Sequence, residues 1–351
     1  MQIIIVAGGG GTRLWPVSTN ALPKQFVPII GDKSSLEKVY EYVSGVFSKE
    51  QIWVNTNEKY KDLLIKTLPG LPLERMLFEP EKRDTFPALA AQAAKVSHFT
   101  SDKEPIIYVT SDEFFATTSS ADKFMQALKK IGRVLEENVY DIITLGIKVS
   151  SANVNYGYIE TDPQYNSTRY ENVVPVTRFT EKPEREKAEG FMNSGNYLWH
   201  KFNCSFNFAK MKEMLAEIDP KSLEILLEIE KTGVINPEKY HELPKISIDY
   251  QIMERTKNIG VIGLDIEDWV DIGNWEIAGQ YIPNISQNSN QIELKGGNNK
   301  VKLQDTNRKV AFIGVSNLIL VDHVEGILVI DPKHSPEVKN VAEYFQNLEN
   351  E

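Results

Sequence analysis

Four short runs of apolar residues, hardly broken by polar ones, punctuate the first 150 positions: Ile3–Val6, Ile52–Asn55, Ile106–Thr110 and Ile142–Leu145. A run of this length without period-2 alternation predicts a strand buried on both faces, as in parallel sheets. Helical periodicity fills the gaps between them. Ser34 and Glu37 form a capping box ahead of Leu36, Val39, Val43 and Phe47, which share one face. Asn57 can cap a helix that stops before Pro69, Pro87 stands in the first turn of an alanine-rich helix, and Phe124, Leu128, Ile131 and Leu135 make a further stripe. All these stripes read as core. Strand and helix in alternation predict an α/β fold with a mixed, mostly parallel sheet.

From Tyr158 onward the pattern loosens into mixed strands and helices, and Pro283 to Asn290 is polar and aperiodic. That segment sets the expected boundary between domains at 1–283 and 284–351. Beyond it, Val301–Leu303, Val310–Val315, Leu318–Val321 and Ile327–Ile330 read as short strands of a small β unit. Ser335 and Pro336 then open a terminal helix with Val338, Val341, Phe345 and Leu348 on one face. No internal repeat is long enough to read as a solenoid by itself.

Composition narrows the chemistry. The formal net charge is −10, so nothing draws nucleic acid or anionic lipid to the molecule as a whole, and an anionic ligand must rely on local cations and backbone amides. The single cysteine, Cys204, excludes an intramolecular disulfide framework and a cysteine-built metal site, which suits a reducing cytoplasm. No apolar stretch approaches the roughly 20 residues of a membrane-spanning helix. The five histidines (His98, His200, His241, His323, His334) are scattered without metal-binding spacing and read as ordinary; His200 is the one to watch.

The sharpest feature follows the first strand. Ala7, then Gly8, Gly9, Gly10, Gly11, Thr12 and Arg13, lie where a parallel strand gives way to a loop, so side-chain-free backbone amides can approach phosphate oxygens. Neither common template fits. A P-loop needs Gly-Lys-Ser/Thr where Thr12-Arg13-Leu14 stands, and the dinucleotide fingerprint needs a small residue at Arg13. An arginine there offers a forked cation to a triphosphate.

Ala7–Pro16 (AGGGGTRLWP) followed by Pro23-Lys24-Gln25-Phe26 resembles the signature of sugar-1-phosphate nucleotidylyltransferases, in the form found in bacterial mannose-1-phosphate guanylyltransferases. The resemblance spans essentially the whole chain. It implies a Rossmann-like nucleotidyltransferase domain, a small C-terminal domain resembling a partial left-handed β-helix, and a homodimer. The reaction it implies is attack of mannose 1-phosphate on the α-phosphorus of GTP with Mg²⁺ as cofactor, a chemistry that needs positioned charge and no protein nucleophile.

The resemblance also assigns residues. Arg13 and Lys24 meet the triphosphate. Asp112, just past the strand Ile106–Thr110, and Asp271, within Asp268–Trp275, hold Mg²⁺, a hard ion suited to carboxylates. Lys182 meets the sugar phosphate, while Glu181, Gly157 and Asn196 meet the sugar. Glu79 reads the base, since one carboxylate accepts from guanine N1–H and N2–H₂ together and other bases leave it unpaired. Arg83 either joins it or clamps the start of the following helix. Ser247-Ile248-Asp249-Tyr250 reads as scaffold near the sugar.

The chain also departs from the pattern. Asn155 replaces the first glycine of the sugar loop, Glu113 follows Asp112, Asp84 replaces an asparagine and Phe86 an alanine. Most notably, His200-Lys201-Phe202 follows Trp199 where Asn-Ser-Gly is expected. These departures keep two alternatives open: another sugar 1-phosphate (heptose or glucose) or another nucleoside triphosphate, and a non-catalytic nucleotide-sugar-binding regulatory protein.

Overall fold

The computed structural model describes residues 1–154, 156–162, 173–266, 269–285 and 290–348; the side chains of residues 201–203, Trp269 and Asp271 also lie outside the description. Asn155 and residues 286–289 of the Pro283–Asn290 segment are among the residues not described. Packing divides the chain into two compact units that interleave in sequence. The first comprises Met1–Val6, Tyr42–Thr110 and Phe115–Asp268; the second comprises Ala7–Glu41, Ser111–Phe114 and Trp269–Glu351. This division does not follow the chain-order split at Pro283.

The first unit is built on a nine-stranded sheet. In spatial order its strands are Met76–Glu79, Ile52–Asn57, Gln2–Val6, Pro105–Thr110, Tyr197–Asn207, Ile142–Lys148, Ile259–Leu264, Val173–Thr180 and Gly157–Thr161. The apolar runs account for its centre: Ile3, Ile4, Ile5, Ile107 and Val109 are fully buried, as strands covered on both faces must be. The sheet is mixed, as expected, but its parallel share is smaller than the strand–helix alternation implies. Four strand pairs are parallel and five antiparallel, the latter all involving strands beyond Tyr156, where the sequence periodicity fades. Thr85–Phe99 forms a helix with Ala90, Ala91, Ala93 and Ala94 wholly buried, a helix apolar all round and therefore internal. Phe86 lies in this core and is fully buried. The Phe124, Leu128, Ile131 and Leu135 stripe is buried along the helix Thr118–Glu136.

The second unit has its own core, drawn from three separate parts of the sequence: Leu14, Trp15, Val17, Val27 and Ile29; Ile272, Trp275, Ala278 and Ile282; and Ile319, Val321, Leu328, Ile330, Val338 and Ala342. The capping box opens its first long helix, Ser35–Ser44: Glu37 accepts from the Ser34 amide at 2.8 Å, and Ser34 Oγ accepts from the Glu37 amide at 3.2 Å.

Its C-terminal part holds a repeat that hydrophobicity alone does not reveal. Gln291–Leu294 pairs in parallel with Val310–Ile313, and Lys300–Leu303 with Ile319–His323, each partner 19 residues on. The same offset joins Asn298 Nδ2 to Asn317 Oδ1 at 2.8 Å and the Leu318 amide to Asn299 Oδ1 at 2.9 Å. Two stacked rungs result, closed by the antiparallel strand Gly326–Ile330. The terminal helix, Val338–Leu348, turns Val338 and Ala342 inward, whereas Val341, Phe345 and Leu348 are 37%, 42% and 50% exposed. The expected apolar face is therefore only partly covered.

Candidate active site

In the second unit the glycine loop keeps its backbone open. Gly8 and Gly9 are exposed, and Gly9 and Gly11 take left-handed backbone (φ 102° and 65°) open to glycine at little cost. A Cβ on Gly11 would lie 2.6 Å from Ser18 Oγ and 2.7 Å from Lys24 Cβ, so this glycine also lets Lys24 stand against the loop. Gln25 fixes the other side, donating from Nε2 to the buried Ala7 carbonyl at 3.1 Å. The Pro-Lys-Gln-Phe motif thus buttresses the loop, with Phe26 buried behind it. Arg13, in the short 3₁₀ turn Thr12–Leu14, points its charge toward solvent.

Lys24 Nζ donates to Asp112 Oδ2 at 2.8 Å, with side chains 16% and 34% exposed. Two residues assigned to different tasks, one to phosphate and one to metal, neutralise each other here. The Asp112 carboxylate supplies the hard oxygen donor that Mg²⁺ prefers. Asp271 ends the strand Trp269–Asp271, which pairs with the strand beginning at Glu113; its side chain lies outside the described residues.

The base-reading candidates belong to the first unit. Glu79 closes the strand Met76–Glu79. Burial pushes its carboxyl up to about 7, Asn55 and Lys82 offsetting part of the rise. Asn55 escaped the sequence reading. It is 1% exposed and stands in register with Val6 and Leu77, its side-chain amide lowering the Glu79 carboxyl. A polar residue inside the apolar run Ile-Trp-Val-Asn was the available signal. Arg83, in contrast, is spent inside the protein: Nε donates to the Leu243 carbonyl at 3.0 Å, and Nη1 reaches Glu81 at 3.2 Å and His241 at 3.3 Å. This geometry is that of a clamp, with the donors committed before any nucleotide arrives.

The sugar-side candidates divide. Gly157 and Glu181 come together: a Cβ on Gly157 would lie 2.7 Å from Glu181 Oε2 and 3.1 Å from the Cβ of His200. Glu181 is ion-paired to Lys182, which is 61% exposed. Asn196 lies elsewhere. Its carbonyl accepts from the Thr161 amide at 3.0 Å, whereas Gly157 pairs with His200. Four residues of extended chain, about 13 Å, separate the two ends, so the fold does not bring Asn196 to Glu181.

His200 and Asp249 do arrive there. His200 Nδ1 is 3.5 Å from Asp249 Oδ1, and burial pushes the Asp249 carboxyl up to about 6 against the pull of Lys182. The strand after Trp199 also carries an irregularity. Gly146 pairs with His200 and Leu145 with Lys201, but Ile143 pairs with Ser205, leaving two extra residues in a β-bulge.

A nine-stranded mixed sheet, a glycine-rich turn after its first strand and a lysine–carboxylate pair against that turn define a nucleotide-handling α/β protein. The chain belongs to the nucleotidyl transferase family, which it matches over residues 2–281. Its relatives include the mannose-1-phosphate guanylyltransferase of Klebsiella pneumoniae, 30% identical over 355 residues that cover 98% of this chain and 73% of that protein. The Escherichia coli protein of the same name is 29% identical with the same coverage. Among solved structures, mannose-1-phosphate geranyltransferase from Thermus thermophilus aligns with a TM-score of 0.80 at 25% identity, covering 98% of this chain and 99% of the other. Among the described residues, no helix is long and apolar enough to cross a membrane.

Proposed function

We propose that the protein transfers GMP from GTP to mannose 1-phosphate, releasing pyrophosphate. The observation that carries this reading is the Lys24–Asp112 pair standing against the glycine loop: cradle, cation and carboxylate meet in one unit, and the relatives named for this reaction match nearly the whole chain. The loop amides of Gly8 to Thr12 bind phosphate oxygens, and Arg13 meets the triphosphate with a forked cation. Lys24 exchanges Asp112 for the leaving pyrophosphate. Glu79 in its ionised form accepts guanine N1–H and N2–H₂. Lys182 positions the sugar phosphate, whose oxygen forms the new bond to the α-phosphorus as the bond to pyrophosphate breaks in line. Glu181 and the Gly157 backbone face the sugar hydroxyls. Asp112 and Asp271 would hold Mg²⁺, which when bound neutralises phosphate charge. We place the reaction in the cytoplasm, on the single cysteine and the resemblance, and take the working form as a homodimer on the resemblance alone.

The test is a matrix of nucleoside triphosphates against sugar 1-phosphates, read as pyrophosphate release. GTP with mannose 1-phosphate is expected to give the fastest turnover, and folded Asp112→Ala to lose at least ~10²-fold, the scale of one lost electrostatic group in a transition state. Faster turnover of UTP or dTTP would overturn the base assignment; ligand binding without pyrophosphate from any pair would leave a regulatory binding protein. The bulge and His200 favour a second reading that changes only the sugar, to a heptose or glucose 1-phosphate.

A further inference from the structure

Three ligand-bearing side chains converge in the first unit. Glu181 follows the strand Val173–Thr180, His200 lies within Tyr197–Asn207, and Asp249 opens the short π-helical turn Asp249–Met253. One ligand atom from each lies within 4.8 Å of the other two. The His200 and Asp249 side chains are 4% and 9% exposed, and that of Glu181 12%.

The surroundings call for a cation. Asp249 Oδ1 is buried without a hydrogen bond, a costly state for a carboxylate unless positive charge answers it. Asp84 and Glu254 add negative charge, and Glu254 is itself raised by burial and then by Asp249 and Glu181. Lys182 is the cation at hand, but its ammonium pairs with Glu181 from the solvent side and can turn away without opening the core.

The donor set indicates which ion. One imidazole nitrogen and two carboxylate oxygens suit zinc-like transition metals better than Mg²⁺, which prefers oxygen alone. Metal–ligand bonds of about 2.0–2.2 Å in tetrahedral geometry put ligands roughly 3.4 Å apart, close to the 3.5 Å between His200 and Asp249. Three protein ligands leave a fourth position open.

We infer that Glu181, His200 and Asp249 form a three-ligand site for a divalent transition-metal ion of the zinc and cobalt type. It is separate from the Asp112–Asp271 assignment and does not depend on the proposed reaction. One consequence does rest on that reading: if Glu181 also takes sugar hydroxyls, the ion and mannose 1-phosphate compete for it.

The experiment titrates Co²⁺ into the full-length protein carrying Asp112→Asn, which removes a ligand of the other assigned site, and follows the visible ligand-field absorption. One equivalent is expected to bind and to be displaced by Zn²⁺. His200→Asn and Asp249→Asn should each weaken binding at least ~10-fold, the scale on which support of a metal site is felt. Unchanged Co²⁺ affinity in either variant, with wild-type circular dichroism, overturns the site. Should both variants misfold, paramagnetic broadening of the His200 imidazole signal by Co²⁺ in the unaltered protein decides instead, and a sharp signal at saturation overturns it. Co²⁺ that binds but ignores mannose 1-phosphate supports the metal site while removing Glu181 from the sugar.

Discussion

In its proposed role at the base, Glu79 would trade stability for recognition. Burial pushes its carboxyl up to about 7 in the fold from 4.5 for an ordinary glutamate, so the folded state holds a proton that the unfolded chain gives up. The stability that goes with this proton is complete below about 4.5 and is lost as pH rises through 7. Glu79→Gln, permanently neutral, should therefore be more stable than the parent at pH 8 by about 3 kcal/mol, two and a half pK units almost fully expressed there; urea unfolding at pH 8 and pH 4 measures the gain and its disappearance. Recognition runs the other way. Only the ionised form accepts both guanine donors, so KM for GTP should rise about tenfold per pH unit below 7, as the competent fraction falls. That slope should vanish in Glu79→Gln. A KM for GTP that is flat from pH 8 to pH 5.5 in the parent removes Glu79 from the base.

Among the elements, legibility follows how local the physics is. The capping box at Ser34 and Glu37 is complete within four residues, and it is found as read. The glycine loop is likewise local: Gly11 needs both its left-handed φ and the contact with Ser18 and Lys24. Gly11→Ala should cost at least ~1 kcal/mol from backbone strain alone. It should also lower the affinity for GTP more than ten-fold by pushing Lys24 away; isothermal titration reads the second effect, and unchanged affinity would detach Lys24 from the loop. Interactions over long sequence separations were not legible. Arg83 meets Leu243 and His241 across some 160 positions, and the convergence of His200 with Asp249 depends on strand register and a bulge. The 19-residue rung repeat is not legible in apolar periodicity because its identity lies in polar turn residues, Asn298 and Asn317 both at φ 59°. Asn299 holds the rungs together. It is fully buried, donates to the Val315 carbonyl at 2.9 Å and accepts from the Leu318 amide. Asn299 Nδ2 also donates to Glu293, so Asn299→Ala should destabilise this part by about 2–4 kcal/mol, three lost side-chain hydrogen bonds at about 1 kcal/mol each, seen as an earlier thermal transition.

At the scale of the whole molecule, the interleaving of the two units carries a prediction that the chain-order boundary would not. If residues 284–351 were an appendage, a chain ending at Pro283 should keep a working phosphate cradle. The packing argues otherwise. Six of the fifteen buried residues in the second core come from Ile319 onward, and nine come from the glycine-loop region and from Ile272–Ile282. Truncation would strip Phe345 from its stack on Trp15 (centroids 5.2 Å apart). It would also remove Ser335, whose hydroxyl accepts from the Trp275 amide at 2.8 Å and the Glu276 amide at 3.2 Å at the start of the helix Trp275–Tyr281. Trp275 in turn donates from Nε1 to the Trp15 carbonyl at 2.8 Å, just beyond Arg13. Leu14 and Trp15 would then face water immediately behind the cradle, an exposure that costs each about 1.5–3 kcal/mol and far exceeds what a four-glycine loop can resist. The chain ending at Pro283 should therefore keep the far-ultraviolet signature of the nine-stranded sheet, shift its tryptophan emission to the red and lose GTP binding. Retention of blue emission and parental GTP affinity would show that the cradle stands without the rungs and the terminal helix, and the boundary at Pro283 would regain its meaning.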